Sequence, residues 1–157
     1  NFQKIYETKW LNMMRDKLGL FGEDKDDKKL IDNLLSWMEI NKADYTNTFC
    51  HLMNIKIHNN EIYEDEKFIK WSNKWEKRIL INNNSKEKHL NLMKISNPIV
   101  IPRNHKVEEA LTEAKKGNLE ILYKLLSILN KPYKNQEAIG DYQLPSADKK
   151  YQTFCGT

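Results

Sequence analysis

The chain has 157 residues, 39% hydrophobic and 10% aromatic with four Trp, which suffices for one packed core and is too apolar for disorder over most of its length. Its 26 basic and 22 acidic residues leave a net charge of +4 with the signs mixed and no dense basic stripe, which argues against a nucleic-acid partner. No apolar run approaches the roughly 20 residues that span a bilayer, no signal-peptide pattern is present, and two cysteines at 50 and 155 make no secreted disulfide framework. The expectation is a cytoplasmic protein with no membrane partner. The first residue is Asn1 rather than Met, as in a processed product or a piece of a longer protein.

With five Gly and four Pro, helical apolar spacing runs almost throughout. Phe2, Ile5, Tyr6, Trp10, Met13, Met14 and Leu18 form one stripe that stops at Gly19, a usual residue just past a helix end. GEDKDD at 22–27 reads as a solvated loop, with Asp26 or Asp27 placed to cap a second helix carrying Leu30, Ile31, Leu34, Leu35, Trp37 and Met38. Asp44 caps a third helix whose inner side holds Tyr45, Phe49, Leu52 and Met53. HNNE at 58–61 is a turn signal. A long helix from about Asp65 to Leu80 places Phe68, Trp71, Trp75 and Ile79 on one stripe. NNNS at 82–85 breaks it, and Ser85 caps a short helix through Leu90 and Met93.

Pro98 disfavours a helical Asn97, so that helix ends there and PIVIP is extended. Asn104 is placed to cap the next helix, and Arg103 to meet a carboxylate or a main-chain carbonyl. Val107, Ala110, Leu111 and Ala114 share a face, and Gly117 closes the helix. Asn118 caps a following helix with Leu119, Leu122, Leu125, Leu126 and Leu129, before Pro132. Together they make an αα-hairpin. From Tyr133 on, an extended stretch with little regular structure is expected. No strand alternation of useful length occurs. The fold class is all-α, an irregular helical bundle over 1–132 with an extended C-terminal tail over 133–157.

Few residues suggest chemistry. The hairpin AKKGNLEILYKLL resembles one ankyrin unit, but no second copy follows. His51, His58, His89 and His105 lack the paired spacing of a zinc site; His105 with Glu108 or Glu109 has helical spacing but no second ligand pair. Surface or cap positions are the ordinary reading for them. GEDKDD lacks the alternating ligands, the Gly and the final Glu of an EF-hand loop. GxxxxGK[ST], GxGxxG and GxSxG are absent. No catalytic, cofactor-binding or metal residue is assigned.

Three blocks are more specific: NPIVIPRNHKVEEALTEAKKGN at 97–118, LLSILNKPY at 125–133, and YQTFCGT at 151–157, with ADYTNTF at 43–49 upstream. These resemble the C-terminal region of the selenoprotein O family, also called YdiU, and the spacing between the blocks fits over nearly the whole chain. Position 50 departs, since many relatives carry a basic residue where Cys50 stands. The resemblance implies a parent with a protein-kinase-like fold that transfers AMP from ATP, with Mg or Mn, to hydroxyls of protein substrates. It implies that the nucleotide and catalytic residues lie upstream, so that this part packs on the kinase-like region of the same polypeptide. It also implies a redox role for Cys155, which holds the tail position that selenocysteine occupies in animal members. Its partner would be a cysteine near the activation segment of the kinase-like part. The alternative is a stand-alone helical interaction module of ankyrin or solenoid kind.

Overall fold

A computed structural model describes residues 2–57, 61–81, 84–136 and 139–146. Its contacts fall into two compact units, Asn1–Asn97 and Pro98–Thr157. Among the described residues the regular structure is helical, without a strand.

The first unit holds α1 (Phe2–Lys17), α2 (Asp27–Asn41), α3 (Tyr45–Leu52), a 3-10 turn (Glu61–Glu64), α4 (Glu66–Leu80) and α5 (Lys86–Ser96). α2 packs on α4, and α1 packs on α2 and α5. The core includes Met14, Leu18, Ile31, Leu34, Phe49, Phe68 and Met93. Local chemistry sets the helix starts. Asp44 accepts from the Asn47 N–H, Asp65 from those of Lys67 and Phe68, and Ser85 from that of Lys88. α1 closes at Gly19, with φ of 68°, where the Leu20 N–H reaches back to the Arg15 carbonyl at 2.9 Å. Three tryptophans bury their rings and still satisfy their N–H groups. Trp71 donates to the Leu30 carbonyl, Trp75 to that of Leu18, and Trp37 to the Asp65 carboxylate.

Two expectations for this unit change. The first half of the α1 stripe is not buried: Phe2 is 84% exposed, and Ile5 and Tyr6 are 60% each. Neither Asp26 nor Asp27 caps α2 by its side chain. Asp26 occupies the cap without a side-chain bond, and Asp27 turns inward, fully buried. Residues 58–60 of HNNE and 82–83 of NNNS lie outside the described residues.

The second unit holds α6 (Asn104–Lys115), α7 (Glu120–Leu129) and α8 (Gly140–Gln143), with α6 packed on α7. The hairpin closes at Gly117, with φ of 88°, and the Asn118 N–H bonds the Glu113 carbonyl at 3.0 Å. The Asn118 side chain accepts from the Glu120 N–H, although Leu119 occupies the cap position. Arg103, not Asn104, is the cap residue of α6, and Asn104 is its first helical residue. The buried set of the hairpin is narrower than its apolar spacing: Ala110, Leu125 and Ile128 are buried, while Leu111, Leu119 and Leu126 are 50%, 42% and 53% exposed.

Over 133–146 the described residues include one further helical turn, α8, where extended chain was expected. Ile139 and Gln143 are buried, and two polar bonds hold the turn. Gln143 Nε2 donates to the Ile99 carbonyl and Arg103 Nη2 donates to the Gln143 carbonyl, both at 2.8 Å. The main-chain partner expected for Arg103 is thus the carbonyl of Gln143. The Ile99 N–H bonds the Pro132 carbonyl at 2.8 Å, so PIVIP runs beside the end of the hairpin without forming a strand.

Candidate functional site

Among the described residues, the densest buried polar group lies in the first unit. Arg78 occupies the inner stripe of α4, ten positions after Phe68, and Arg15 lies beside Met14 on α1. Both meet Asp27. Arg15 Nε donates to Oδ2 at 2.7 Å, and Arg78 donates through Nε to Oδ1 at 2.7 Å and through Nη2 to Oδ2 at 3.1 Å. The Asp24 N–H adds a bond at 3.0 Å. Burial alone would raise the Asp27 carboxyl, but the bonds from Arg78, Arg15 and Asp24 hold it below the ordinary carboxylate range. Arg78 Nη2 also donates to the carbonyls of Phe21 and Gly22, and Arg15 Nη1 to Asn12, with Glu23 at 3.4 Å. This cluster ties the 22–27 loop to α1 and α4. GEDKDD is therefore not a wholly solvated loop: its last acid is a buried anchor.

Asn97 is a second anchor, 1% exposed. Its Nδ2 donates to the carbonyls of Lys17 and Met93, each at 2.8 Å, and its Oδ1 accepts from Lys17 Nζ at 3.3 Å. The ends of α1 and α5 are thereby fastened together. Burial lowers the Lys17 pKa, and Nζ lies 5.2 Å from the Phe49 ring centroid.

The histidines separate by environment. His51 stacks on Tyr63 with centroids 3.9 Å apart. Burial raises the Tyr63 hydroxyl, which pairs with Thr48 Oγ1 at 3.3 Å. His89 is 2% exposed, so of the surface or cap positions expected for the histidines it does not take the surface one. Its Nδ1 donates to the Gly19 carbonyl, and its Nε2 is buried without a hydrogen-bond partner among the described residues. Both rings line a groove of about 450 Å³ with Phe68, Trp75 and Met93. His105 is half-buried, its pKa lowered by burial and by the charges of Lys106 and Arg103, against Glu109. The Glu109 carboxylate pairs with Lys106 at 3.1 Å. His58 lies outside the described residues.

Among the described residues no group of three His, Cys, Asp or Glu side chains gathers as a metal site, and no helix is long and apolar enough to cross a membrane. Cys50 is fully buried in α3 beside Phe49. Cys155 lies outside the described residues. The anchoring role of Asp27 and Asn97, read from sequence only as a helix cap and a helix end, was not foreseen, and Arg78 and Gln143 were not singled out. One signal did exist for Arg78: an arginine on an otherwise aromatic stripe requires a buried acid.

The chain matches the family described as Protein adenylyltransferase SelO over residues 1–130. It is 55% identical to the Protein nucleotidyltransferase YdiU of Pelagibacter ubique, over 99% of this chain and 33% of that relative. It is 42% identical to the protein of the same name from Nitrosococcus oceani, over 100% of this chain and 32% of the relative. The Clostridium botulinum protein of that name is 45% identical, over 100% and 33%. The chain therefore spans about a third of the length of the curated relatives it matches. By a family match over most of its residues and likeness along its whole length, this chain belongs to the SelO protein adenylyltransferase family.

Proposed function

We propose that this chain is the helical C-terminal part of a protein adenylyltransferase, which moves AMP from ATP to hydroxyls of protein substrates in the cytoplasm. Its own work is to pack on the kinase-like region of the same polypeptide and to present the tail thiol of Cys155. The observation that carries this reading is the likeness to nucleotidyltransferases along the entire chain while only a third of their length is covered. The strongest anchors among the described residues bind helices to each other, through Asp27 and Asn97, which suits a supporting part. ATP and Mg or Mn belong on this reading to the rest of the protein, since this sequence carries no phosphate-cradling loop.

Calorimetry of this chain with ATP and Mg²⁺, beside an AMP-transfer assay of the full-length protein, tests the reading. The expected outcome is transfer by the full-length protein and no binding by this chain at micromolar ATP. Micromolar binding here would place the nucleotide site in the wrong region.

A further inference from the structure

Among the described residues, the second unit carries an apolar face without a cover. Of the ten residues of α7 only Glu120, Lys124 and Ser127 are polar. These three stand at i, i+4 and i+7 and share one face, which leaves an apolar arc wider than the roughly 100° that a single packing contact ordinarily covers. Yet only Leu125 and Ile128 are buried in α7. Leu119, Leu122, Tyr123 and Leu126 follow i, i+3, i+4, i+7 spacing and so share one face. On that face Leu119 is 42% exposed, Tyr123 63% and Leu126 53%. A shallow hollow lined by Leu126, Ser127, Leu129 and Asn130 continues the stripe at its C-terminal end.

We infer that this face of α7 is the seat of the remaining part of the polypeptide, the two thirds of the relatives' length that this chain does not span. The inference rests on the proposed function in taking this chain to be part of a longer polypeptide and the remainder to be catalytic. Three observations select this occupant. A helix of ten residues is about 15 Å long and about 10 Å wide, so the stripe offers on the order of 150 Å². A stable dimer of separate chains needs about 800 Å² per partner, far more than this stripe. A region of the same polypeptide needs less, because its docking is intramolecular and a tether that spans the site raises its effective concentration to about the millimolar range. A membrane surface is disfavoured as well. Helices that lie on membranes carry a Lys- and Arg-rich polar face, and α7 has the single cation Lys124.

Solvent accessibility in the full-length protein tests this. Tyr123→Cys and Leu126→Cys are labelled with N-ethylmaleimide beside Lys115→Cys, an exposed control, and the sites are read by peptide mass spectrometry. Labelling at 123 and 126 should be at least tenfold slower than at 115, with the difference lost in denaturant. Rates within threefold of the control overturn the inference. Protection that disappears on dilution also overturns it, because the cover is then a second copy. Hydroxyl-radical footprinting of the unsubstituted protein gives the same test without a variant: Tyr123 should be oxidised at least fivefold more slowly than Tyr133, and equal oxidation overturns the inference. AMP transfer by the same preparation separates the two ideas. An exposed face in an active enzyme sinks the seat alone, and a covered face in a protein that cannot transfer AMP sinks the catalytic reading alone.

Discussion

Asp27 accepts bonds from two arginines and a backbone N–H while fully buried, so its replacement leaves two cations facing each other out of water. Breaking a buried ion cluster by removing one partner costs about 3–5 kcal/mol. Asp27→Asn should destabilise the first unit by that order in urea unfolding, and a loss below about 1 kcal/mol would show that the cluster is not an anchor. The pH dependence has a definite sign. The folded carboxyl titrates below its ordinary value, so its contribution is fully present above about pH 4. That contribution is lost as pH falls through the lower folded value. The gap between the natural chain and Asp27→Asn should therefore narrow in acid and stay constant from pH 5 to 7. Gly19 makes a second residue-scale case. At its φ of 68° a Cβ would lie 2.8 Å from the His89 carbonyl oxygen and 2.9 Å from Met93 Cγ. At Gly117, with φ of 88°, a Cβ would meet open space. Gly117→Ala should cost about 1–2 kcal/mol of left-handed strain alone. Gly19→Ala adds a backbone clash, so its thermal midpoint should fall clearly further. Equal shifts would mean that α5 moves aside freely.

At the scale of elements, the caps are the parts a reader can test one at a time. Ser85→Ala and Asp44→Ala each remove an acceptor from a helix start and should cost about 1 kcal/mol. Asn104→Ala should be nearly neutral, since Asn104 stands inside α6 and not at its cap. A loss as large as that of Ser85→Ala would show that its side chain caps after all. These elements also show what was legible in the sequence. Asp44 and Ser85 could be read because a cap and its N–H lie three residues apart. The apolar periods of α2 and α4 could be read because they repeat every turn. Asp27 could not, because its partners lie 12 and 51 residues away and an acid among acids looks solvated. Gln143 failed in the same way, since its partner Ile99 is 44 residues distant. The stripes of α1 and α7 were over-read for a different reason. Periodicity marks a face that will be covered, but it does not say whether the cover lies within these residues.

For the whole molecule, the two thiols give the sharpest contrast. Cys50 is fully buried in α3. A reagent reaches such a thiol only when the fold opens. At a typical opening free energy of about 5 kcal/mol, labelling slows by a factor on the order of a thousand or more. Cys155 stands third from last in the given sequence, in the motif YQTFCGT. On the proposed reading it serves as a redox partner for the kinase-like region and must be reachable. In this chain Cys155 should therefore react with a thiol reagent at least a hundredfold faster than Cys50, and comparable rates would remove the thiol from that role. In the full-length protein, oxidation should join Cys155 to a cysteine of the kinase-like region: two thiols lose two electrons and two protons to the added oxidant, and reductant restores both. Peptide mapping of the oxidised protein, beside Cys155→Ser, decides it. If Cys155 stays free, or the Ser variant keeps the same response of AMP transfer to reductant, the tail is no redox latch. A Cys50–Cys155 bridge is disfavoured by the burial of Cys50, and finding one would make the thiol an internal staple, because α3 would have to open for it to form.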